Sequence, residues 1–187
     1  MDEQRWIEQI RAGDMQSFSL LVAKYEKMAY TLAFRIMENR EEAEEVVQDA
    51  FVKMYRALPG FQFGSKFSTW FYRIIYHTAL SAHKSRRSFV RFEEAGATAL
   101  TDDETDSALS LLEREDRKEM IARVLEKMPA DNATLLTLYY LEECSVEDIH
   151  QITGLSLPNV KTKLFRARKQ FYETIQRMMQ KETTPIL

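Results

Sequence analysis

The chain has 187 residues, enough for one or two small domains with real cores, and 45% of them are apolar. Five glycines and four prolines suit an all-helical protein. The net charge of −3 is unevenly spread. Residues 1–90 carry 13 Lys+Arg against 11 Asp+Glu, residues 91–130 carry 6 against 11, and residues 131–187 carry 7 of each. A chain that binds long DNA unaided is usually basic overall, and this one is not.

Other classes are excluded on simple grounds. No apolar run approaches the roughly 18–20 residues that cross a bilayer. The opening MDEQRWIEQI lacks the apolar centre of a secretory leader. The expected location is therefore the cytoplasm, without direct membrane insertion. Cys144 is the single cysteine, which leaves no intrachain disulfide and no thiolate zinc site. With no motif around it, it reads as a half-buried packing thiol. His77, His83 and His150 lie in different helical stretches without ligand spacing, and HExxH, GxSxG and P-loop patterns are missing. No catalytic residue, metal or cofactor is expected, and the chain reads as a non-enzyme.

In chain order, residues 2–11 form a short helix with Trp6, Ile7 and Ile10 on one side. Ala12-Gly13-Asp14 breaks it, and Asp14 caps the next helix. Met15, Phe18, Leu21, Val22 and Tyr25 recur at steps of three and four, and Ala29, Leu32, Ala33 and Ile36 continue that face after room for a small break. Asn39 or Arg40 opens a third helix, whose apolar set is Ala43, Val46, Val47, Ala50, Phe51, Met54 and Leu58. Glu41, Glu42, Glu44 and Glu45 lie early in that helix, where its dipole favours acids. Pro59-Gly60 ends it.

The loop GFQFGSKFS follows, holding Phe61, Phe63 and Phe67 beside Lys66. Ser68 or Ser65 caps the helix TWFYRIIYHTALSAHKSRR. Trp70, Phe71, Ile74, Thr78 and Ala82 are expected inward, with Tyr72, Arg73, Tyr76 and His77 near a polar edge and Lys84, Arg86 and Arg87 at a basic end. Aromatic and basic residues interleaved in this way suit single-stranded nucleic acid, where bases stack on rings and cations hold phosphates. Core packing is an equal reading for Phe67, Trp70 and Phe71. The glycine-flanked Phe61 and Phe63 point toward function.

Residues 91–115 form a flexible acidic linker, with Asp102, Asp103, Glu104 and Asp106 clustered in it. A helix resumes from about Asp106 or Leu111, carries Leu112, Ile121, Leu125 and Met128, and stops at Met128-Pro129. Asp131 caps a helix bearing Leu135, Leu136, Leu138, Tyr139 and Leu141.

The stretch Ser145–Ile175 has the pattern of a helix-turn-helix. Ser145 and Asp148 form a capping box, with Val146, Ile149 and Ile152 on one face. Gly154 makes the turn, Ser156 caps the second helix, and Pro158 is tolerated in its first turn. Val160, Leu164, Ala167, Phe171 and Ile175 form the inner stripe. Thr162, Phe165, Arg166 and Lys169 face the other way, flanked by Lys161, Lys163 and Arg168. Between Ser156 and Gln170 there are five basic residues and no acid. A basic second helix after a capped helix and a glycine turn favours a major-groove reader over an ordinary helical hairpin.

Four stretches in order carry a family resemblance: RAGD with Phe18 and Tyr25, AEEVVQDAF, KFSTWFYRI and VKTKLFRAR. Residues 8–87 resemble the second conserved region of bacterial RNA polymerase sigma factors, and residues 119–178 resemble the fourth. With no third region between them, the chain is similar to the extracytoplasmic-function (ECF) group of the sigma-70 family. The resemblance implies two small helical domains, at residues 1–90 and 116–187, and a promoter-specificity subunit whose partners are core RNA polymerase and promoter DNA. An anti-sigma protein is a further partner for many relatives. Glu45, Gln48, Asp49, Val52 and Lys53 match the segment that docks on core polymerase. Phe61, Phe63, Lys66, Phe67, Trp70, Arg73, His77, Arg86 and Arg87 match the part that captures the melted −10 strand. Asn159, Lys161, Thr162, Lys163, Phe165, Arg166, Arg168 and Lys169 match the reader of the −35 duplex. The chain departs from the family where His77 replaces a common asparagine and where Lys161 and Lys163 replace common arginines, which removes bidentate base reading there. Met128 and the DNAT stretch at Asp131–Thr134 also lack a common leucine and arginine. The competing reading is a helix-turn-helix repressor that acts without polymerase, but it leaves the aromatic loop without a role.

Overall fold

A computed structural model describes residues 2–86 and 114–182. The described residues form helices α1 (Asp2–Arg11), α2 (Met15–Met37), α3 (Arg40–Ala57), α4 (Phe67–Arg86), α5 (Arg114–Glu126), α6 (Ala130–Leu136), α7 (Val146–Thr153) and α8 (Leu157–Glu182), and no strand. A 3₁₀ turn, Leu58–Gly60, follows α3, and a π turn, Thr137–Leu141, extends α6. Most of the acidic linker expected at residues 91–115, together with Leu112, lies outside the described residues.

Side-chain caps open α2, α3 and α7. The Asp14 carboxylate accepts the Gln16 backbone N–H at 2.9 Å and so opens α2, while Asn39 accepts from Glu42 at 3.1 Å and opens α3. α2 runs unbroken through the stretch where a break was allowed, because Tyr25, Met28, Ala29 and Leu32 are all buried on one continuous face. α4 starts at Phe67, ahead of Ser68. α6 starts at Ala130 after Pro129, so Asp131 lies in its first turn and is not its cap; proline has no N–H to satisfy and its fixed φ suits a helix entry. The Ser145–Asp148 capping box forms in full, and Gly154 takes φ +76° to end α7, a conformation that a side chain would strain.

The first core is aromatic. Phe71 is fully buried, with ring centroids at 5.0 Å from Phe51, 5.8 Å from Tyr25 and 6.1 Å from Phe67. Ile7 and Ile10 of α1 and Leu21, Leu32 and Met54 close it. The second core gathers Val124, Leu138, Ile149, Ile152, Val160, Leu164 and Ala167. Cys144 joins this core more completely than the half-buried position expected, and burial pushes its thiol up to about 12.

The two cores are joined. α4 lies on α2 and α3 with one face and against α7 with another, and α6 meets α2. Tyr72, expected near a polar edge, is buried for this reason, and its hydroxyl donates to the Glu142 carboxylate. The Thr69 hydroxyl donates to Asp148 at 2.8 Å, and Lys66 Nζ stands 3.4 Å from the same carboxylate. Asp148 thus caps its own helix and grips α4 at once. Burial alone would raise its pKa, but the hydrogen bonds from Thr69 and Ser145 and the Lys66 charge outweigh it and hold the carboxyl below its ordinary value. Burial raises Glu142, only partly offset by the Tyr72 hydrogen bond.

Two outcomes follow from this packing. Phe71→Ala should cost about 3–5 kcal/mol in denaturant unfolding, the usual range for emptying an aromatic core site. Because the Asp148 pKa is depressed in the folded chain, its contribution is complete above the ordinary value of 3.8 and is lost as pH falls through the lower, folded one. Asp148→Asn should therefore lower stability at neutral pH and shrink the further loss below about pH 4, read from unfolding midpoints across pH.

Candidate nucleic-acid interface

α3 divides cleanly. Ala43, Val46, Ala50, Phe51 and Met54 are buried, while Glu45, Gln48, Asp49, Val52 and Lys53 form one exposed stripe. Asp49 and Lys53 pair at 2.7 Å one turn apart, and Lys53 also reaches Thr78 at 3.3 Å. Val52 is 46% exposed, an apolar residue standing among charges.

The aromatic loop is more structured than its two glycines imply. Phe61, expected on its glycine-flanked loop to serve function and not the core, is 4% exposed, with its ring 4.8 Å from Trp70, 4.9 Å from Phe63 and 5.7 Å from Phe67. Burying an aromatic ring is worth a few kcal/mol, more than an exposed position on a loop would return. Phe67 is also 4% exposed and Trp70 half-buried, so these three form the wall of the loop. Phe63 alone of the loop's phenylalanines stands out, 41% exposed and at φ +56°.

Lys66, Arg73 and His77 are exposed around this wall. Burial lowers the His77 pKa, and the neighbouring Arg73 charge adds to that, while a hydrogen bond to the Ile152 backbone opposes both. His77 and Lys66 therefore already touch the α7 side of the molecule. Arg86 ends α4, but its side chain, like all of Arg87, lies outside the described residues.

On α8 the inner stripe forms as expected: Val160, Leu164, Ala167 and Ile175 are buried and Phe171 half-buried. Asn159, Lys161, Arg166 and Lys169 are exposed, and Thr162, Lys163 and Phe165 are half-buried beside them. Arg168 departs from the set. Its guanidinium lies over the Tyr139 and Tyr140 rings at 5.3 and 5.8 Å, turned toward the π turn and away from the basic face. The exposed face can meet phosphates and base edges in a groove.

Sequence reasoning passed over Thr69, Tyr72, Glu142 and Arg11 as site residues. Arg11 ends α1 and donates to the backbone carbonyls of Leu58 and Phe61, with its guanidinium 5.5 Å from the Phe63 ring. Its only early sign was its place in the RAGD stretch.

The family model Sigma-70 region 2 matches residues 21–89, and Sigma-70, region 4 matches residues 118–171. The chain is 34% identical over 186 residues to the RNA polymerase sigma-H factor of Pseudomonas aeruginosa, covering 95% of both. It is 30% identical over 192 residues to the ECF RNA polymerase sigma-E factor of Escherichia coli K12, covering 97% of this chain and 98% of that one. Among solved structures, CnrH in complex with the cytosolic domain of CnrY shares the fold, with a TM-score of 0.64 and 20% identity over 95% of this chain and 99% of that one. The sigma factor RpoE from Bartonella quintana, solved with the anti-sigma factor NepR, gives 0.61 and 19% over 86% and 98%. With the aromatic loop leading into α4 and the basic face of α8 both in place, these matches settle the family: the chain belongs to the sigma-70 family of RNA polymerase sigma factors, in its ECF group.

Proposed function

We propose that the chain directs transcription initiation by docking on core RNA polymerase through the exposed stripe of α3, holding the melted −10 strand with the loop and α4, and reading the −35 duplex with α8. The observation that carries this reading is the basic face of α8, where Asn159, Lys161, Arg166 and Lys169 stand outward from a buried stripe in a complete helix-turn-helix. The units are residues 1–90 and 116–187, with residues 91–115 as their connection. The reading makes the chain a non-enzymatic cytoplasmic subunit, with an anti-sigma protein as a further partner. Among the described residues no helix is long and apolar enough to cross a membrane.

The packing of α7 on α4 bears directly on this function. Thr69, Tyr72 and His77 all engage the α7 side, so the −10 surface is partly covered, while Asn159, Lys161, Arg166 and Lys169 of α8 are exposed. The covering bonds are few. A charge-assisted hydrogen bond nets about 1.5–3 kcal/mol, and a pair as exposed as Lys66–Asp148 adds at most about 1 kcal/mol. A partner that binds the parted form a hundredfold better contributes about 2.8 kcal/mol. With two such bonds and the packing of α7 on α4 to replace, polymerase has to prefer the parted form by more than this to set both units on one promoter.

Reconstitution with core polymerase, followed by sequencing of transcript starts on genomic DNA, tests the whole reading and supplies the promoter. On that promoter Arg166→Ala should cost about 1–3 kcal/mol and relax one −35 position if it meets a base edge. Lys169→Ala should weaken all sequences alike and flatten the salt dependence. Footprints unchanged by both would remove α8 from the interface. Asp49→Lys should abolish assembly with core and leave duplex binding by the free chain as it was, read by gel shifts with and without core enzyme. Tight, sequence-specific binding by the free chain alone would instead support a repressor.

A further inference from the structure

Phe63 is the one loop phenylalanine presented to solvent, and it is held there at a cost. At φ +56° it occupies the left-handed region, which bulky side chains rarely adopt. Such a conformation persists only where its surroundings over-determine it, and it collects at functional sites. The restraint here is Arg11. Its Nε and one terminal nitrogen reach the Leu58 carbonyl at 3.3 and 3.2 Å, and the same terminal nitrogen also donates to the Phe61 carbonyl. The guanidinium meanwhile lies 5.5 Å from the centre of the Phe63 ring. One side chain thus ties both ends of the turn after α3 and supports the ring beyond it. The reach is long range, from the last residue of α1 to carbonyls 47 and 50 positions onward.

We propose that Arg11 is a positioning residue for strand capture, fixing the Leu58–Phe63 segment so that the Phe63 ring stands ready for an unstacked base. The inference rests on the proposed role of this loop at the −10 strand. The chemistry calls for arginine. A planar fork can serve two carbonyls and lie along a ring at once, whereas a lysine ammonium is a point charge that cannot do both. Phe61 below supplies a buried floor, through its contacts with Phe67 and Trp70. A pre-set ring also loses less freedom when a base arrives.

The test uses the full chain with core polymerase on the promoter identified by transcript sequencing, and reads strand opening by permanganate reactivity. Arg11→Ala and Arg11→Lys should each lower open-complex formation about tenfold, the share of a stacking contact that a misplaced ring forfeits. Phe63→Ala should do the same, and adding Arg11→Ala to it should bring little further loss. The Arg11 defect should also vanish on a promoter with an abasic site at one non-template −10 position, while core affinity stays as in the parent chain. Multiplying effects, a defect that persists on every abasic template, or an equal loss of core affinity would overturn the proposal and leave Arg11 as a staple between α1 and the turn. A parent-like Phe63→Ala would overturn the capture reading itself, and this inference with it. Should Arg11→Ala fail to fold, Arg11→Lys decides by the same criteria.

Discussion

Helix α4 is held from two sides, and the rest of the architecture depends on that. One face gives Phe71, Ile75 and Ala79 to the core with α2 and α3. Another meets α7, where a single carboxylate, Asp148, accepts from the Ser145 backbone N–H at the start of α7 and from the Thr69 hydroxyl. A carboxylate has about four lone-pair positions, so the two duties are compatible. The capping box leaves one oxygen for α4, because Oδ2 serves Ser145 and Oδ1 serves Thr69. The joint between the two halves is therefore built from a group the helix-turn-helix already needs.

This economy links stability with function. Part of the surface proposed for the melted strand, at Lys66 and His77, meets α7, so opening it breaks the polar bonds there, parts the α4–α7 packing and exposes Tyr72. Such a joint favours one arrangement, and a docking partner shifts it only by its difference in affinity for the two forms. The chain's overall acidity works in the same direction, since among the described residues the face of α8 offers the dense basic charge for counterion release.

The helices and the second core were legible because they rest on local rules. The Ser145–Asp148 box, the Gly154 turn and the stripe of Val160, Leu164, Ala167 and Ile175 are all written at spacings of three and four residues. What the chain hid is long range. Tyr72 reads as an edge residue until Glu142, 70 positions onward, covers it. Phe61 sits between a glycine and a polar residue, which suggests an open loop, yet its ring fills the gap beside Trp70 and Phe67. Arg168 belongs to the basic run by count, but cation–π contact with Tyr139 and Tyr140 turns it aside. For Tyr72 and Arg168 the partner that decides the side chain's direction lies outside the window that periodicity can read, while Phe61 is turned by neighbours that loop geometry, not helical spacing, brings to it.

The central claim is that α7 covers α4 in the free chain and leaves it when both halves engage a promoter. Spin labels at two exposed positions, one at Ser81 on α4 and one at Gln176 on α8, measure this directly by pulsed dipolar spectroscopy. The account predicts one narrow distance for the free chain and a longer, equally narrow one with core polymerase and promoter DNA. A broad distribution in the free chain, or a distance that does not change on assembly, would contradict it.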